Sequence, residues 1–372
     1  MNDERNWFQI SNPEEIDSPA LLVFPGRVER NIQTAIKMVG DINRLRPHVK
    51  THKCAEVTEM MMKAGIHKFK CASIAEAEML GMANARDVLL AYQPLGPKLE
   101  RFIQLIKKYP HTIYSCLTDN LSTANEQSKV FADAGLTVPV YIDLNVGMNR
   151  TGILPNKEAL KLYRFCAAAP GMKIQGLHVY DGHITNADFE ERKKEADEVF
   201  SKAEKLAEKI KADGLPVPAI ILGGSPTFSA HCKRPGIECS PGTFIYWDKS
   251  YLTSCPEQEF IPAAILLTRV VSIPGKELLC TDLGHKSVAA ENEKPKRVFF
   301  PEHDHLTVLT QSEEHLVLES KSTHVFKPGD ILYIIPWHIC PTVALYENVN
   351  VVENGRCVST WKNIARDRQI TI

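Results

Sequence analysis

Long apolar runs are lacking in this 372-residue sequence, and no uninterrupted stretch approaches the length of a membrane-spanning helix. The first residues, Met1-Asn-Asp-Glu-Arg-Asn-Trp7, lack the basic and apolar regions of a targeting peptide, so we expect a cytoplasmic protein. Charge of one sign is not in excess either: the formal net charge is −1, which attracts neither nucleic acid nor an anionic membrane. The expected partner is therefore a small molecule.

Paired cysteines are also lacking. The ten cysteines are scattered along the chain without a CxxC spacing, which argues against a disulfide framework and against a zinc ribbon. We expect most of them to be small buried apolar residues. The remaining composition, 44% hydrophobic and 24% charged, is typical of an ordinary globular protein.

The first two thirds of the chain alternate short apolar runs with longer stretches of helical periodicity. The predicted strands are Ala20–Val23, Leu45–Lys50, Lys68–Cys71, Val88–Ala91, Thr112–Cys116, Val138–Asp143, Ile174–Val179 and Ala219–Leu222. The predicted helices are Val28–Met38, Ala55–Ala64, Ile74–Ala83, Lys98–Lys108, Leu121–Ala134, Lys157–Ala167 and Ala187–Ala212. This α/β pattern predicts a (β/α)8 TIM-type barrel, and an open doubly wound sheet is the main alternative.

The pattern changes near residue 250, where short turn-separated runs replace helical periodicity. The runs are Ile261–Ser272, Glu277–Asp282, Leu306–Thr310, Leu316–Glu319, Asp330–Ile335, Val343–Tyr346 and Val349–Val352. We predict a barrel domain over residues 19–250 and a mostly-β domain over residues 251–372. Whether residues 1–18 join the β domain is left open.

A lysine among histidines ends the second predicted strand, in the stretch Arg44-Leu-Arg-Pro-His-Val-Lys-Thr-His-Lys-Cys54. Arg46, His48 and Lys50 alternate with apolar residues, so a strand would place all three on one face. A lysine is costly to bury unless it is paired or covalently used, which favours a catalytic Lys50. A solvated loop is the alternative.

Two glycine turns follow the last predicted barrel strand. Gly223-Gly224-Ser225 and Gly242-Thr243 offer backbone N–H groups and hydroxyls of the kind that hold phosphate, although each turn alone is compatible with an ordinary loop. Together with a strand-end lysine, they imply a cofactor held by its phosphate and its aldehyde.

Polar side chains also follow the sixth and seventh predicted strands. Arg150 is a candidate partner for a cofactor oxygen, with a helix-capping ion pair as the alternative. Tyr180 is a candidate to lie against a ring, and His183 is a candidate base or a solvated side chain.

In the predicted β domain, His338 and Cys340 are two residues apart, so extended backbone would point both the same way. Imidazole and thiolate together suit zinc, and two protein ligands leave metal positions open for water or substrate. A buried cysteine beside a structural histidine is the alternative.

Taken together, several motifs resemble the D-threonine aldolase and D-serine dehydratase family, which are fold-type III pyridoxal-phosphate enzymes related to alanine racemase. The motifs are Arg46-Pro-His-Val-Lys-Thr-His-Lys53, Asn145-Val-Gly-Met-Asn-Arg-Thr-Gly152, Tyr180-Asp-Gly-His183, Gly223-Gly-Ser-Pro226, Ser240-Pro-Gly-Thr243 and His338-Ile-Cys-Pro-Thr342. They cover nearly the whole chain in the family's order.

The resemblance implies an alanine-racemase-like barrel, a C-terminal β domain and a homodimer with sites at the subunit boundary. It assigns Lys50 as the lysine that binds pyridoxal phosphate covalently, in preference to Lys53, and His338 and Cys340 as the metal pair. It also places Gly223, Gly224, Ser225, Gly242 and Thr243 at the phosphate, Tyr180 at the pyridine ring and Arg150 near the cofactor hydroxyl. Ser240 departs from the racemase pattern, which has an arginine facing the pyridine nitrogen.

The activity implied is cleavage of a β-hydroxy-D-amino acid by a lyase that needs pyridoxal phosphate and a divalent metal, zinc first and manganese or magnesium as alternatives. D-threonine aldolase chemistry, giving glycine and an aldehyde, is placed narrowly first. The alternative is dehydration of D-serine or lysis of 3-hydroxy-D-aspartate, giving a 2-oxo acid and ammonia, which Cys340 favours. An amino-acid racemase and a non-catalytic pyridoxal-phosphate carrier are further alternatives, but neither needs the metal pair.

Overall fold

Each helix predicted from periodicity is present in the computed structural model, which describes residues 6–321 and 324–372. The helices are α1 Pro25–Val39, α2 Ala55–Lys63, α3 Ile74–Met82, α4 Pro97–Lys108, α5 Leu121–Asp133, α6 Lys157–Ala168, α7 Phe189–Ala212, α8 Phe228–His231, α9 Lys249–Ser254 and α10 Ile339–Leu345. None of the described helices is long and apolar enough to cross a membrane.

The strands up to residue 239 are β1 Ala20–Val23, β2 Lys68–Cys71, β3 Asp87–Leu90, β4 Ile113–Thr118, β5 Val138–Leu144, β6 Met172–Val179, β7 Ala219–Leu222 and β8 Ile237–Cys239. The later strands are β9 Ala264–Gly275, β10 Leu278–Thr281, β11 Val298–Phe299, β12 Leu306–Gln311, β13 Leu316–Ser320, β14 Ile331–Pro336, β15 Asn348–Glu353 and β16 Arg356–Lys362.

Strands β2 to β8 form one parallel sheet in sequence order. Residues 45–49 close it, because Leu45 pairs with Cys239 of β8 and His48 pairs with Lys70 of β2, both in parallel. The Arg46 N–H donates to the Cys239 carbonyl at 2.9 Å, and the Lys70 N–H donates to the Pro47 carbonyl at 2.8 Å. Closure confirms the predicted barrel and excludes the open sheet.

The barrel strands are short and apolar because helices cover their outer faces and side chains fill the interior. Leu89, Leu117, Tyr141 and Ile221 pack together as one buried cluster from four different strands. Helices start where side chains cap them: Ser73, for example, accepts the Glu76 N–H at the start of α3.

The second sheet has the order β12-β13-β10-β9-β1-β15-β16, with β14 pairing with β9 and β11. Strand β1 was expected in the barrel, but it pairs antiparallel with β9 and parallel with β15. Its four residues are all buried and apolar, so the local sequence does not distinguish one sheet from the other. The eighth barrel strand is instead β8, whose three residues give a weak sequence signal.

One further prediction near the C-terminus was wrong, and one strand there was missed. Val343–Tyr346, predicted as a strand, lies largely in α10, which begins at Ile339 with Pro341 in its first turn, where proline is tolerated. Strand β16 was not predicted because most of its residues are exposed and polar.

The described residues form two compact units. One contains the described parts of Met1–Ile32, Thr51–Val57 and Thr243–Arg366, and the other contains Gln33–Lys50, Thr58–Gly242 and Asp367–Ile372. Sequence analysis left open which domain residues 1–18 join. Of these, residues 1–5 lie outside the described residues.

Candidate active site

Residues 45–50 were predicted as a strand, but they form two isolated bridges, at Leu45 and His48, and Lys50 lies in a turn. Arg46 is buried and pairs with Asp87 (Nη1 to Oδ1, 2.7 Å) and with Glu238 (Nε to Oε2, 2.7 Å). Burial alone would lower the pKa of Arg46, but these two carboxylates raise it above its ordinary value. His48 and Lys50 line a cavity, so the lysine amine is delivered to a space that a ligand can occupy.

This cavity has a volume of about 470 Å³ and is lined by residues at the carboxyl ends of β2 to β6. Three cations surround the ring of Tyr180 within it: the ring centroid lies 5.9 Å from Lys50 Nζ, 5.8 Å from Lys70 Nζ and 4.9 Å from Arg150 Cζ. The structure therefore brings together Lys50, Arg150 and Tyr180, which the sequence predicted as site residues.

Lys70 is not among the residues predicted from the sequence. It is 2% exposed on β2, and its Nζ lies 3.5 Å from His178 Nε2, whose Nδ1 lies 2.7 Å from Asp143 Oδ1. Burial, and then the charge of Lys50, lower the pKa of Lys70 to about 7. The sequence did contain a signal for Lys70. It is the penultimate residue of the predicted strand Lys68–Cys71, and a lysine inside a short barrel strand, where apolar residues are expected, is unusual.

The two glycine turns lie side by side. Gly223 has a φ of +81°, and its N–H donates to the Val179 carbonyl at 2.9 Å, so this amide is already engaged. The Gly242 N–H donates to Ser225 Oγ at 3.2 Å, which links the second turn to the first. Gly224 needs to be small, because a Cβ there would lie 3.0 Å from Tyr180 Cε2.

A buried network not predicted from the sequence supports the first turn. Thr227 Oγ1 donates to Asp181 Oδ1 at 2.8 Å, and His231 Nε2 lies 2.8 Å from Asp181 Oδ2. Because Arg234 Nε donates to His231 Nδ1 at 3.1 Å, it is His231 Nε2–H that donates to Asp181. Asp181 thus anchors the start of α8 to the end of β6.

Two other predicted positions have distinct surroundings. Ser240 is buried, and its hydroxyl donates to the Arg46 carbonyl at 2.8 Å. His183 is exposed and lies against Gly147, where a Cβ would overlap His183 Nε2. Among the described residues, His183 is outside the set that lines the 470 Å³ cavity.

His338, Cys340 and Thr243 belong to the unit that contains the second sheet. Cys340 Sγ lies 3.2 Å from Thr51 Oγ1 and 3.5 Å from Thr243 Oγ1. The expectation of extended backbone through both residues was wrong at Cys340, which lies in the first turn of α10, whereas His338 has extended backbone at the N-cap position. The two side chains still meet: against the effect of burial, a hydrogen bond with Cys340 is the main cause that raises the pKa of His338 to about 9.

The residues present fit the two groups that the sequence implied. Lys50, the Tyr180 ring and the paired glycine turns supply an amine, an aromatic face and phosphate-compatible donors. The described residues contain no group of three or more His, Cys, Asp or Glu side chains that forms a complete metal site. His338 and Cys340 supply two donors, and Glu291 bonds to His338 Nδ1, an arrangement that orients a metal-binding imidazole.

Comparison with known proteins gives two family matches. The model described as alanine racemase, N-terminal domain, matches residues 25–250, and the model described as putative serine dehydratase domain matches residues 263–352.

Individual relatives match over nearly the whole chain. A 3-hydroxy-D-aspartate aldolase from Paracoccus denitrificans (strain Pd 1222) is 26% identical, covering 95% of this chain and 93% of that protein. A D-threo-3-hydroxyaspartate dehydratase from Delftia sp. (strain HT23) is 24% identical, covering 94% of this chain and 97% of that protein. The crystal structure of D-threonine aldolase from Filomicrobium marinum superposes with a TM-score of 0.87 at 25% identity, covering 95% and 96% of the two chains.

Proposed function

We propose, from the premise that this chain belongs to the alanine racemase N-terminal domain family, that it is a lyase dependent on pyridoxal phosphate and a divalent metal. Its substrate class is β-hydroxy-D-amino acids, and its first-ranked reaction is cleavage to glycine and an aldehyde. The relatives that align over nearly the whole chain are named aldolases and a dehydratase, which supports this class. The observation that carries the proposal is the half-buried Lys50 amine beside the Tyr180 ring in the barrel cavity.

Lys50 Nζ is proposed to bind the aldehyde carbon of the cofactor, and the ring of Tyr180 to lie against the pyridine. The turns at Gly224, Ser225 and Gly242 are proposed to hold the phosphate, with Thr243 continuing the second turn. The Gly223 N–H donates to the backbone carbonyl of Val179, so Gly223 is proposed to shape the turn. The N–H groups of Gly224 and Gly242 donate to hydroxyls, Thr227 Oγ1 at 3.4 Å and Ser225 Oγ at 3.2 Å, and a phosphate oxygen would take the place of these acceptors. Bound there, pyridoxal phosphate would supply the electron sink for charge that develops at the substrate Cα.

His338 and Cys340 are proposed to bind the metal. Zinc is the first choice because imidazole and thiolate are its usual donors, with manganese or magnesium as alternatives. The chemistry that a metal would supply is Lewis-acid activation of the substrate's hydroxyl. Cleavage needs a base for the hydroxyl proton, for which His183 is the candidate.

Dehydration to a 2-oxo acid and ammonia is the second candidate reaction, with D-serine or 3-hydroxy-D-aspartate as substrates. In this route Lys50 Nζ would take the Cα proton, and the β-hydroxyl would leave as water with the assistance of a metal held by His338 and Cys340. The Delftia relative and Cys340 favour it. A racemase or a cofactor carrier would need neither His338 nor Cys340.

The deciding experiment is a product assay on D-threonine, D-serine and 3-hydroxy-D-aspartate, with and without a chelator. Glycine plus an aldehyde supports the aldolase, and ammonia plus a 2-oxo acid supports the dehydratase. If cofactor-loaded protein converts none of the three substrates, the lyase proposal is wrong.

Cofactor attachment is tested separately by borohydride reduction and peptide mass mapping. We expect the adduct on Lys50, loss of the visible absorption band in Lys50→Ala, and retention of the band in the matched variant Lys53→Ala. An adduct on Lys53 would overturn the assignment.

A cytoplasmic location and a homodimer complete the proposal. Among the described residues, none of the ten cysteines lies in a disulfide, which supports a reducing compartment. Light scattering on the purified protein measures the oligomeric state.

A further inference from the structure

The cavity contains a second buried amine that the proposed chemistry does not use. Lys70 Nζ is as close to the Tyr180 ring centroid, at 5.8 Å, as Lys50 Nζ is at 5.9 Å. Its own strand pairs with the segment that carries Lys50, through the bridge between His48 and Lys70. A buried lysine side chain is costly, so a function that uses its donors is expected here.

The orientation of Lys70 is fixed by a chain of hydrogen bonds. Asp143 Oδ1 lies 2.7 Å from His178 Nδ1, so Nδ1 carries the proton and Nε2 is the acceptor. Lys70 Nζ, 3.5 Å from Nε2, donates to it. An ammonium has three donors, so others remain for a ligand in the cavity that Lys70 lines.

We propose that Lys70, positioned by His178 and Asp143, donates a hydrogen bond to the phenolic oxygen of pyridoxal phosphate. This inference rests on the proposed function. The aldehyde and the phenolic oxygen are on adjacent ring carbons, so an aldehyde bound to Lys50 brings the phenolic oxygen close to the same group of cations. The phosphate has its own donors in the glycine turns, whereas Lys70 lies on the cavity wall beside Tyr180 and Arg150.

Charged and titratable groups face Lys70 from each neighbouring element. They are Arg46, His48 and Lys50 of residues 45–50, Asp119 after β4, Asp143 of β5, His178 of β6, and Arg150, Tyr180 and Asp181 of the following loops. Burial and the nearby cations lower the pKa of Lys70 to about 7, against the opposing effect of the two aspartates. A phenolate oxygen placed against Lys70 acts in the opposite direction and raises this pKa.

Cofactor binding should therefore take up a proton at Lys70. Because the pKa is higher in the bound state, this contribution to affinity is full below about pH 7 and declines as pH rises through the pKa of the bound form. Replacing the amine removes the pH dependence together with the affinity.

The test compares the wild type with Lys70→Met and Lys70→Arg, using Lys173→Met, an exposed lysine of β6, as the matched control. The measurements are the dissociation constant for pyridoxal phosphate after removal and readdition of the cofactor, and the pH titration of the visible absorption band of the holoprotein. For Lys70→Met we expect about 10-fold weaker binding at pH 6.5, a smaller difference at pH 9, and a shifted band midpoint. Lys70→Arg keeps a permanent charge, so it should bind tightly with a flatter pH dependence.

The outcomes separate the two proposals. If the wild type binds cofactor on Lys50 and Lys70→Met matches Lys173→Met in affinity and in band midpoint, the role of Lys70 is refuted and the proposed function stands. If the wild type shows no cofactor band, the proposed function fails and the inference about Lys70 fails with it. If Lys70→Met does not fold, Lys70→Arg decides, because an unchanged pH dependence in that variant contradicts a titrating Lys70.

Discussion

Breaking the buried ion cluster around Arg46 should destabilise the barrel segment that carries Lys50. Arg46 is 1% exposed and donates to both carboxylate oxygens of Asp87, at 2.7 and 2.9 Å, and to Glu238 at 2.7 Å. The perturbation is removal of these charges without change of shape, by Asp87→Asn, Glu238→Gln and the double variant. Each single variant leaves Arg46 one carboxylate, so we expect a loss of about 1.5 kcal/mol in the free energy of unfolding.

The double variant leaves a buried guanidinium without a counter-charge. A buried charge without a partner costs about 3–5 kcal/mol. The loss in the free energy of unfolding of the double variant should therefore exceed the sum of the two single losses. The side chain of Asp87 is 30% exposed, so water can replace part of its interaction with Arg46. We therefore expect Asp87→Asn to cost less stability than Glu238→Gln. Adding Arg46→Met to the double variant removes the stranded charge and should restore most of the lost stability.

The assay is urea unfolding followed by far-ultraviolet circular dichroism at neutral pH. The control is Glu158→Gln, which breaks the exposed pair with Lys161 on α6 and should change stability by less than about 0.5 kcal/mol. The reasoning is refuted if the double variant is no less stable than the control, or if Arg46→Met in that background destabilises the protein further.

Three further predictions concern the site and its surroundings. Gly224→Ala should weaken pyridoxal phosphate binding several-fold, because its Cβ would lie only 3.0 Å from the Tyr180 ring. Equilibrium titration checks this against Gly26→Ala, an exposed glycine of α1 whose added Cβ would meet nothing within 4 Å, and equal affinities would contradict it. His338→Ala should lose bound metal by elemental analysis and lose lyase activity while keeping the cofactor band, and full metal content would exclude the assigned pair. Burial lowers the pKa of His52 to about 3, so wild-type stability should fall as pH drops from about 6.5 towards 3, because the unfolded chain binds the proton first. His52→Gln should lose less stability over this interval in urea titrations at successive pH values, and an unchanged slope would show that another group is responsible.

Much of the barrel was predictable because its signals are local. Helical periodicity located α1 to α7. The residue types around Lys50 marked a segment that lines the barrel cavity, although this segment forms two isolated bridges and not the predicted strand. Chain order and the position of glycine turns after strands also predicted that Gly224, Ser225 and Gly242 would be near one another, and the Gly242–Ser225 hydrogen bond shows that the two turns meet.

The remaining features depend on partners that are distant in the sequence. The pairing of β1 with β9 and β15 was missed because four buried apolar residues fit either sheet equally well. The helical conformation around Cys340 was missed because an apolar run of this length is compatible with a strand or a short helix.

The sequence by itself determined the order of helices α1 to α7, the amine at Lys50 and the residue types that suit a phosphate and a metal, since these follow from periodicity and from side-chain chemistry. Only the tertiary structure decided that Lys70, His178 and Asp143 lie on the wall of the same cavity as Lys50. The three come from three different strands, and their hydrogen bonds exist only once the parallel ladder has set the register between β2, β5 and β6. A buried amine acquires its altered pKa from that assembled environment, because burial and neighbouring charges are properties of the fold.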